Sequence, residues 1–187
     1  ERPALTPHLR SPVIVKANEE RIPPVAARFL RFTVLGSNTP EGYIDELEAF
    51  ATGEPRRNVA LAEYGAVATS PVVNGENGNP FYANDGRYNE RAAWNSPAGK
   101  SGHLQIEFPR LEKIDRLLWS RNRSDRQPKL DDHLITDYRI HVSTDGQAWT
   151  EVASSRDRLG DEWRKRVPSI VTLSSVPPDR LAAVSRL

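Results

Sequence analysis

The chain of 187 residues contains no cysteine and no methionine. Without cysteine, disulfide bridges, thiolate zinc sites and cysteine nucleophiles are excluded. Because methionine is absent and the chain begins at Glu1, we expect a processed product or a piece of a longer polypeptide. No apolar run approaches the roughly 18 residues that a membrane helix needs, so membrane insertion is not expected.

The net charge is also almost zero: the chain has 26 basic and 25 acidic residues, which give a formal net charge of +1. A nucleic-acid-binding surface requires a clustered excess of basic residues. The densest basic stretch runs from Arg121 to Lys129, and Asp125 interrupts it. We therefore expect no nucleic-acid partner.

Local signatures of catalysis are missing as well. The sequence has no Gly-rich phosphate loop and no Gly-x-Ser-x-Gly elbow. The histidines His8, His103, His133 and His141 never lie within four residues of one another, so no helical zinc pair can form. Carboxylates are plentiful, but no local arrangement marks a catalytic pair. The chain is therefore predicted not to be an enzyme.

Short strands dominate what is present. Leu104–Phe108 and Tyr138–Val142 alternate between apolar and polar residues, which is typical of half-buried strands. Further strands are predicted at residues 13–15, 29–35, 43–50, 114–119 and 149–152. With 15 prolines and 11 glycines supplying frequent turns, this spacing predicts an all-β fold, an antiparallel sandwich or barrel.

The chain divides into three predicted parts. Residues 1–24 are rich in proline and are predicted to form a linker or an extended arm. Residues 25–153 are predicted to form the β-domain, and residues 154–187 a C-terminal extension in which the strand pattern fades.

Six stretches, in order, resemble the discoidin domain, the coagulation factor V/VIII type C (F5/8 type C) family. They are NVALA at 58–62, ANDGRY at 83–88, AWNS at 93–96, GHLQIEF at 102–108, IDRLLW at 114–119 and TDYRIHVSTDGQAW at 136–149. The resemblance implies a galactose-binding-like fold, an antiparallel jelly-roll β-sandwich. It also implies that Trp94 packs in the core.

The order of the motifs departs from the family in one respect. The family closes with a strand like Ala-Arg-Tyr-Ile-Arg-Phe and then one like Glu-Leu-Glu-Val. Here similar stretches, ARFLRF at 27–32 and IDELEAF at 44–50, come before the other motifs. Either a preceding domain has been cut, or the order is circularly permuted. We favour permutation, in which residues 27–50 supply the closing strands of the same domain.

The resemblance implies a non-catalytic binding module that acts outside the cytoplasm, as a secreted, periplasmic or cell-surface protein. Family members bind sugars, phospholipid head groups or proteins through loops at one end of the sandwich. Here the corresponding loops are 70–82, 94–102 and 121–134, and their polarity favours glycan binding or cell adhesion over phospholipid. The expected ligand-binding residues are Arg121 and Arg123, the aromatic platforms Tyr64, Phe81 and Tyr82, and His133.

The resemblance also implies one structural Ca²⁺. Its ligands are expected to be Asp85 of the Asn-Asp-Gly turn and Glu46 of a closing strand, with Asp45 as a weaker candidate. Hard carboxylate and carbonyl oxygens suit this ion. Relatives often have a threonine before the tryptophan, where this chain has Ala92 and Ala93, so backbone oxygens would have to serve there.

Two other readings stay open at this point. The chain is alternatively a structural module that docks onto other domains or subunits of a larger extracytoplasmic protein. It is also compatible with a piece of a multidomain enzyme whose catalysis lies elsewhere. A glycan or other extracellular ligand is the partner that the resemblance favours.

Overall fold

The computed structural model describes residues 10–71, 73, 78–88, 92–97, 102–123 and 132–161. They form an antiparallel all-β sandwich with short 3-10 turns between strands, which confirms the predicted fold class. The strands are β1 Asn18–Ser37, β2 Tyr43–Ile44, β3 Glu46–Ala51, β4 Val67–Thr69, β5 Trp94–Asn95, β6 Gly102–Ser120, β7 Ile135–Ser143 and β8 Thr150–Ser154. Within these described ranges, no helix has the length and apolarity needed to cross a bilayer.

The main sheet has the order β3-β6-β1-β7-β8, and β4 also pairs with β6. Strand β1 therefore lies in the middle: Phe32 faces Leu104 of β6 on one side and Ile140 of β7 on the other. Residues 27–50 thus contribute the central strand β1 and strand β3 to the same sheet as the motifs that follow them. The circular permutation concerns the usual strand order of a family and stays a prediction.

Strand β1 is longer than the sequence predicts. It begins at Asn18, within the stretch predicted as an arm, and continues past Pro23 and Pro24. The two prolines fall in the gap in register between Arg21 and Val25, where β1 makes no paired contact with β6. Proline lacks an N–H for a ladder and is tolerated at such irregularities. The prediction that residues 1–24 form a linker or an extended arm is therefore wrong for residues 18–24, which belong to the sheet.

The short strand predicted at Val13–Val15 is also wrong. These residues are irregular, with a bend at Val15, and the side-chain oxygen of Asn18 accepts a hydrogen bond from the backbone N–H of Ile14 at 2.9 Å. The carbonyl of Val15 accepts from the backbone N–H groups of Arg121 and Asn122. The segment is thereby fastened to the end of β6 without entering a ladder.

The sheet folds over on itself to make the two layers. Phe32 is paired with Leu104, yet its ring lies 5.1 Å from that of Trp119. An extended strand from Leu104 to Trp119 would span roughly 50 Å, so β1 and β6 must bend between the layers. Phe32, Trp119 and Tyr138 pack ring against ring in the resulting core, and each is fully buried.

The bend gives the sandwich two distinct ends. At what we call the bent end, β6 passes through Pro109. At the opposite end, which we call the loop end, β6 stops at Ser120 beside the start of β3, where the Asp45 N–H donates to the Ser120 carbonyl at 2.9 Å. The backbone N–H of Tyr43 donates to the carbonyl of His133 at 2.9 Å. The segments that precede β3 and β7 and the one that follows β6 therefore meet at the loop end.

The two ends of the described chain are joined by a buried ionic network, which we call the Glu20 cluster. The Glu20 carboxylate is 1% exposed and is bound by Arg10, by Arg158 at 2.8 Å and by the hydroxyl of Tyr138. Arg10 also binds Asp157 and donates to the Ser154 carbonyl at 2.8 Å. Burial, followed by the charge of Glu20, raises the pKa of Tyr138.

Candidate ligand site at the loop end

The two arginines expected to contact ligand both follow β6 directly, and the structure gives them different surroundings. Arg121 is buried, with 8% of its side chain exposed. Its guanidinium donates to the Asp132 carbonyl at 3.2 Å and lies 4.9 Å from the centre of the Tyr43 ring. In this arrangement Arg121 fastens the segment before β7 to the end of β6.

Arg123 lies closer to the surface. Its guanidinium forms an ion pair with Glu48 of β3, and it donates to the hydroxyl of Tyr88 at 2.9 Å. The same guanidinium lies 4.7 Å from the centre of the Tyr88 ring. Tyr88 is 49% exposed and 15% of the Arg123 side chain is exposed, so the pair combines a half-exposed aromatic residue with a planar hydrogen-bond donor. We call it the Arg123–Tyr88 pair.

Sequence reasoning missed Tyr88 and Glu48 as site residues. The ANDGRY stretch predicts a turn with Asp85 as a calcium ligand, but Tyr88, its last residue, is not among the expected ligand-binding residues. Glu48 lies within β3, and nothing local in the sequence indicates that the strand faces the residues after β6. The available signal was the tyrosine itself, placed two residues after the turn glycine Gly86.

His133 is held in place by its neighbours. Its backbone adopts a φ of 57°, which is rare for a residue with a side chain. Its ring stacks on Tyr43 at 4.0 Å, and its Nδ1 lies 3.1 Å from both the Thr39 hydroxyl and the Glu41 carbonyl. These contacts hold the residue against the segment before β3, close to Arg121.

Among the described residues, no ring contact joins the three predicted aromatic platforms, Tyr64, Phe81 and Tyr82, to the Arg123–Tyr88 pair. Tyr64 ends the 3-10 turn Ala62–Tyr64, and a side chain on the following Gly65 would lie 3.6 Å from Pro109, at the bent end. Tyr82 lies in the 3-10 turn Pro80–Ala83, half-buried, with its ring edge-on to that of Phe81 at 6.2 Å. Phe81 itself is exposed.

Much of the three predicted loops lies outside the described residues. Residues 72, 74–77, 98–101 and 124–131 belong to this undescribed part. The described loop-end residues are therefore those nearest to the strands.

The residues expected to bind calcium cluster where β3 begins. An oxygen of Glu46 accepts the backbone N–H of Gly86 at 2.6 Å, which brings the carboxylate to the Asn84–Gly86 turn. Asp85 in that turn accepts the N–H of Arg87 at 2.8 Å, as a turn-forming aspartate does. Asp45 is fully buried beside them.

The electrostatics of this cluster centre on Glu46. Burial raises the pKa of Glu46 to about 8, and the negative charges of Glu48, Asp85 and Asp45 contribute to the increase. Across the described ranges, no three His, Asp or Glu side chains are grouped so that they could hold a metal ion by themselves. An ion there would need backbone carbonyls to complete its ligands.

The sequence profile described as the F5/8 type C domain matches residues 65–177, more than half of the chain. The match reaches beyond β8 into residues that the structure does not describe. No solved structure matches the chain significantly.

Proposed function

We propose that this chain, which belongs to the F5/8 type C domain family, is a non-catalytic module that binds glycans at the loop end of its sandwich. Domains of this family are commonly binding modules for carbohydrates or phospholipids and are typically extracellular. The observation that carries the glycan proposal is the Arg123–Tyr88 pair. We place the module outside the cytoplasm, as a secreted, periplasmic or cell-surface protein.

The chemistry of the pair suits a sugar. An exposed aromatic ring gives the apolar face of a sugar a surface on which to stack. A planar guanidinium offers several N–H donors in fixed directions, which match neighbouring hydroxyl groups. The Arg123 ion pair with Glu48 orients the guanidinium before a ligand arrives, and such preorganisation lowers the entropic cost of binding.

Replacing Tyr88 with alanine is expected to weaken binding to the glycans that a printed glycan array identifies by about tenfold or more, equivalent to about 1.4 kcal/mol. Arg123→Lys is expected to have a similar effect, because lysine keeps the charge opposite Glu48 but loses the planar fork. Isothermal titration calorimetry with an array-positive glycan measures both changes.

Tyr64→Ala is the matched control, because Tyr64 is 56% exposed but lies towards the bent end. It should bind within twofold of the unmodified protein. If Tyr64→Ala loses binding and Tyr88→Ala keeps it, the site is not at the Arg123–Tyr88 pair. If no glycan on the array is retained, the glycan proposal fails, and docking to another domain becomes the better account.

We further propose that Ca²⁺ stabilises the start of β3, with Glu46 and Asp85 as ligands and Asp45 contributing charge. The fit rests on the contact between Glu46 and the Asn84–Gly86 turn and on the negative charge concentrated around this buried carboxylate. Carboxylate oxygens with turn carbonyls are the ligands that Ca²⁺ prefers. The ion would neutralise the cluster and hold the turn to the sheet.

Adding Ca²⁺ at one hundred times its dissociation constant to EDTA-treated protein is expected to raise the melting temperature by about 5–10 °C. This corresponds to about 2.7 kcal/mol of linkage energy for a chain of this size. Differential scanning calorimetry with and without Ca²⁺ measures the shift.

Asp85→Asn should abolish this shift. The matched control is Asp145→Asn, since Asp145 forms a similar Asp-Gly turn by accepting the N–H groups of Gln147 and Ala148. That variant should keep the Ca²⁺ shift even if its turn is weakened. A melting temperature that neither EDTA nor Ca²⁺ changes would contradict the calcium proposal. Asp85 would then serve only to form the turn.

A further inference from the structure

The outer face of the main sheet carries polar side chains in one continuous row. Thr69, Gln105, Arg31, His141 and Glu151 are direct cross-strand partners on β4, β6, β1, β7 and β8. Direct partners point to the same side of a sheet. Since the neighbouring residues Leu30, Ile106 and Ile140 are fully buried in the core, this row faces outward.

A second row lies beside the first. His103, Thr33 and Arg139 are partners on β6, β1 and β7, two residues along each strand from the first row. We call the two rows together the Arg31 face. It lies beside residues 103–105 of β6, whereas Glu48, which binds Arg123, pairs with Leu118 in the other half of that strand.

Arg31 itself has an unusual environment for a residue on an outer face. Its guanidinium lies 3.8 Å from the centre of the Trp149 ring, and it donates to the side-chain oxygen of Gln105 at 2.8 Å. Within the described residues, no carboxylate forms an ion pair with it. The positive charge is therefore positioned by an aromatic ring and an amide, with no anion among the described residues to neutralise it.

The rest of the Arg31 face is also poor in negative charge. Glu151 lies at its edge and is shared among Arg139, His141 and Arg156, at 3.8, 3.9 and 3.4 Å. On the far side, Glu107 is paired with Arg28 at 2.8 Å. With the exposed Asp137, two residues before Arg139 on β7, the named groups are four arginines and three carboxylates. The excess positive charge is centred on Arg31.

The two histidines add hydrogen-bonding groups to the face. Burial is the main cause that lowers the pKa of His103 and of His141, and the charge of Arg31 lowers both further. Near neutral pH their rings are therefore uncharged, and each offers one donor and one acceptor.

We infer that the Arg31 face is a second binding surface, which takes a polysaccharide bearing carboxylate or sulfate groups. Arg31 and Arg139 would pair with successive acidic groups along the chain, since a guanidinium forms two parallel hydrogen bonds to a carboxylate or sulfate. The threonine, glutamine and histidine side chains between them would bind hydroxyl groups. A broad sheet surface suits an extended polymer, whereas the loop end suits a short segment. This inference does not rest on the ligand site proposed at the loop end.

Dextran sulfate and dextran test the inference, because the two polymers share a backbone and differ in charge. At low ionic strength the full chain is expected to be retarded by dextran sulfate in affinity electrophoresis and not by dextran. Arg139→Gln, at an exposed position, should weaken the interaction about tenfold, and so should Arg31→Gln. Circular dichroism of each variant checks that it is folded. If Arg31→Gln does not fold, Arg139→Gln still tests the inference.

Arg21→Gln is the matched control. Arg21 lies on the same strand and is 79% exposed, but it belongs to the other layer, so the net charge changes equally without touching the face. The inference is overturned if dextran sulfate does not bind, or if Arg21→Gln weakens binding as much as Arg139→Gln does. Equal affinity for single-stranded DNA would overturn the polysaccharide assignment.

The two proposals fail separately. Tyr88→Ala is expected to lose array-positive glycans and to keep dextran sulfate, whereas Arg139→Gln is expected to do the reverse. If Tyr88→Ala also loses dextran sulfate, the acidic polymer binds at the loop end, and the Arg31 face is not a separate surface.

Discussion

A fragment that begins at Glu54 is expected not to fold. It lacks β1, the strand between β6 and β7, together with β3. Removing β1 exposes the backbone groups of both neighbours and the core that Leu30, Phe32 and Val34 help to fill. Burial of each large apolar side chain contributes about 1.5–3 kcal/mol, so the loss approaches the whole stability of a typical domain, about 5–15 kcal/mol.

Far-ultraviolet circular dichroism and one-dimensional NMR of residues 54–187 measure this loss. The expected spectrum lacks native β-structure, or the fragment is insoluble. Adding residues 10–53 as a separate polypeptide is expected to restore part of the native signal, which would trace the defect to the missing strands. A fragment that is monomeric, folded and as heat-stable as the full chain would show that the domain folds without residues 27–50. That result would contradict the predicted circular permutation.

Glu20→Gln is expected to destabilise the protein by about 3–5 kcal/mol. The substitution keeps the shape but removes the charge that Arg10 and Arg158 share. Arg158 has only 7% of its side chain exposed, so water cannot replace the lost carboxylate. Urea denaturation at pH 7, with the free energy extrapolated to zero denaturant, measures the change.

Glu19→Gln is the matched control for this prediction. Glu19 is the adjacent residue and also pairs with arginines, at 2.6 Å with Arg116 and 3.2 Å with Arg21, but a third of its side chain is exposed. A partly solvated pair is worth about 1 kcal/mol or less. Equal losses in the two variants would show that the Glu20 cluster contributes no more than a surface ion pair.

Strand identity was largely predictable from the sequence. The alternation at Leu104–Phe108 and Tyr138–Val142 fixes which side chains face a core, and both segments lie in strands with that face buried. The continuity of β6 was not predictable, because the polar stretch from Pro109 to Lys113 resembles a loop. Pairing with β1 keeps the end of this stretch extended, since Lys113 and Glu112 face Ala26 and Ala27.

Site geometry was less predictable, because it depends on contacts between distant residues. The sequence indicates that Arg121 and Arg123 follow a strand, but not that Asp132 and Tyr43 bury the first of them. The Glu20 cluster joins residues from four separate parts of the chain, and no local pattern marks any of them. Strand patterns depend on residues that are neighbours along the chain, whereas these ion pairs form between residues that only the folded structure brings together.

The chain enters and leaves the described domain at almost the same point. The backbone N–H of Arg10 donates to the Asp157 carbonyl at 2.6 Å, and the N–H of Leu159 donates to the Arg10 carbonyl at 2.9 Å. A mechanical pull on the two flanking segments therefore acts first on these two bonds and the Arg10 ion pairs. Little of the tension passes through the sandwich until they break. The sandwich therefore lies to one side of the line along which the force is transmitted.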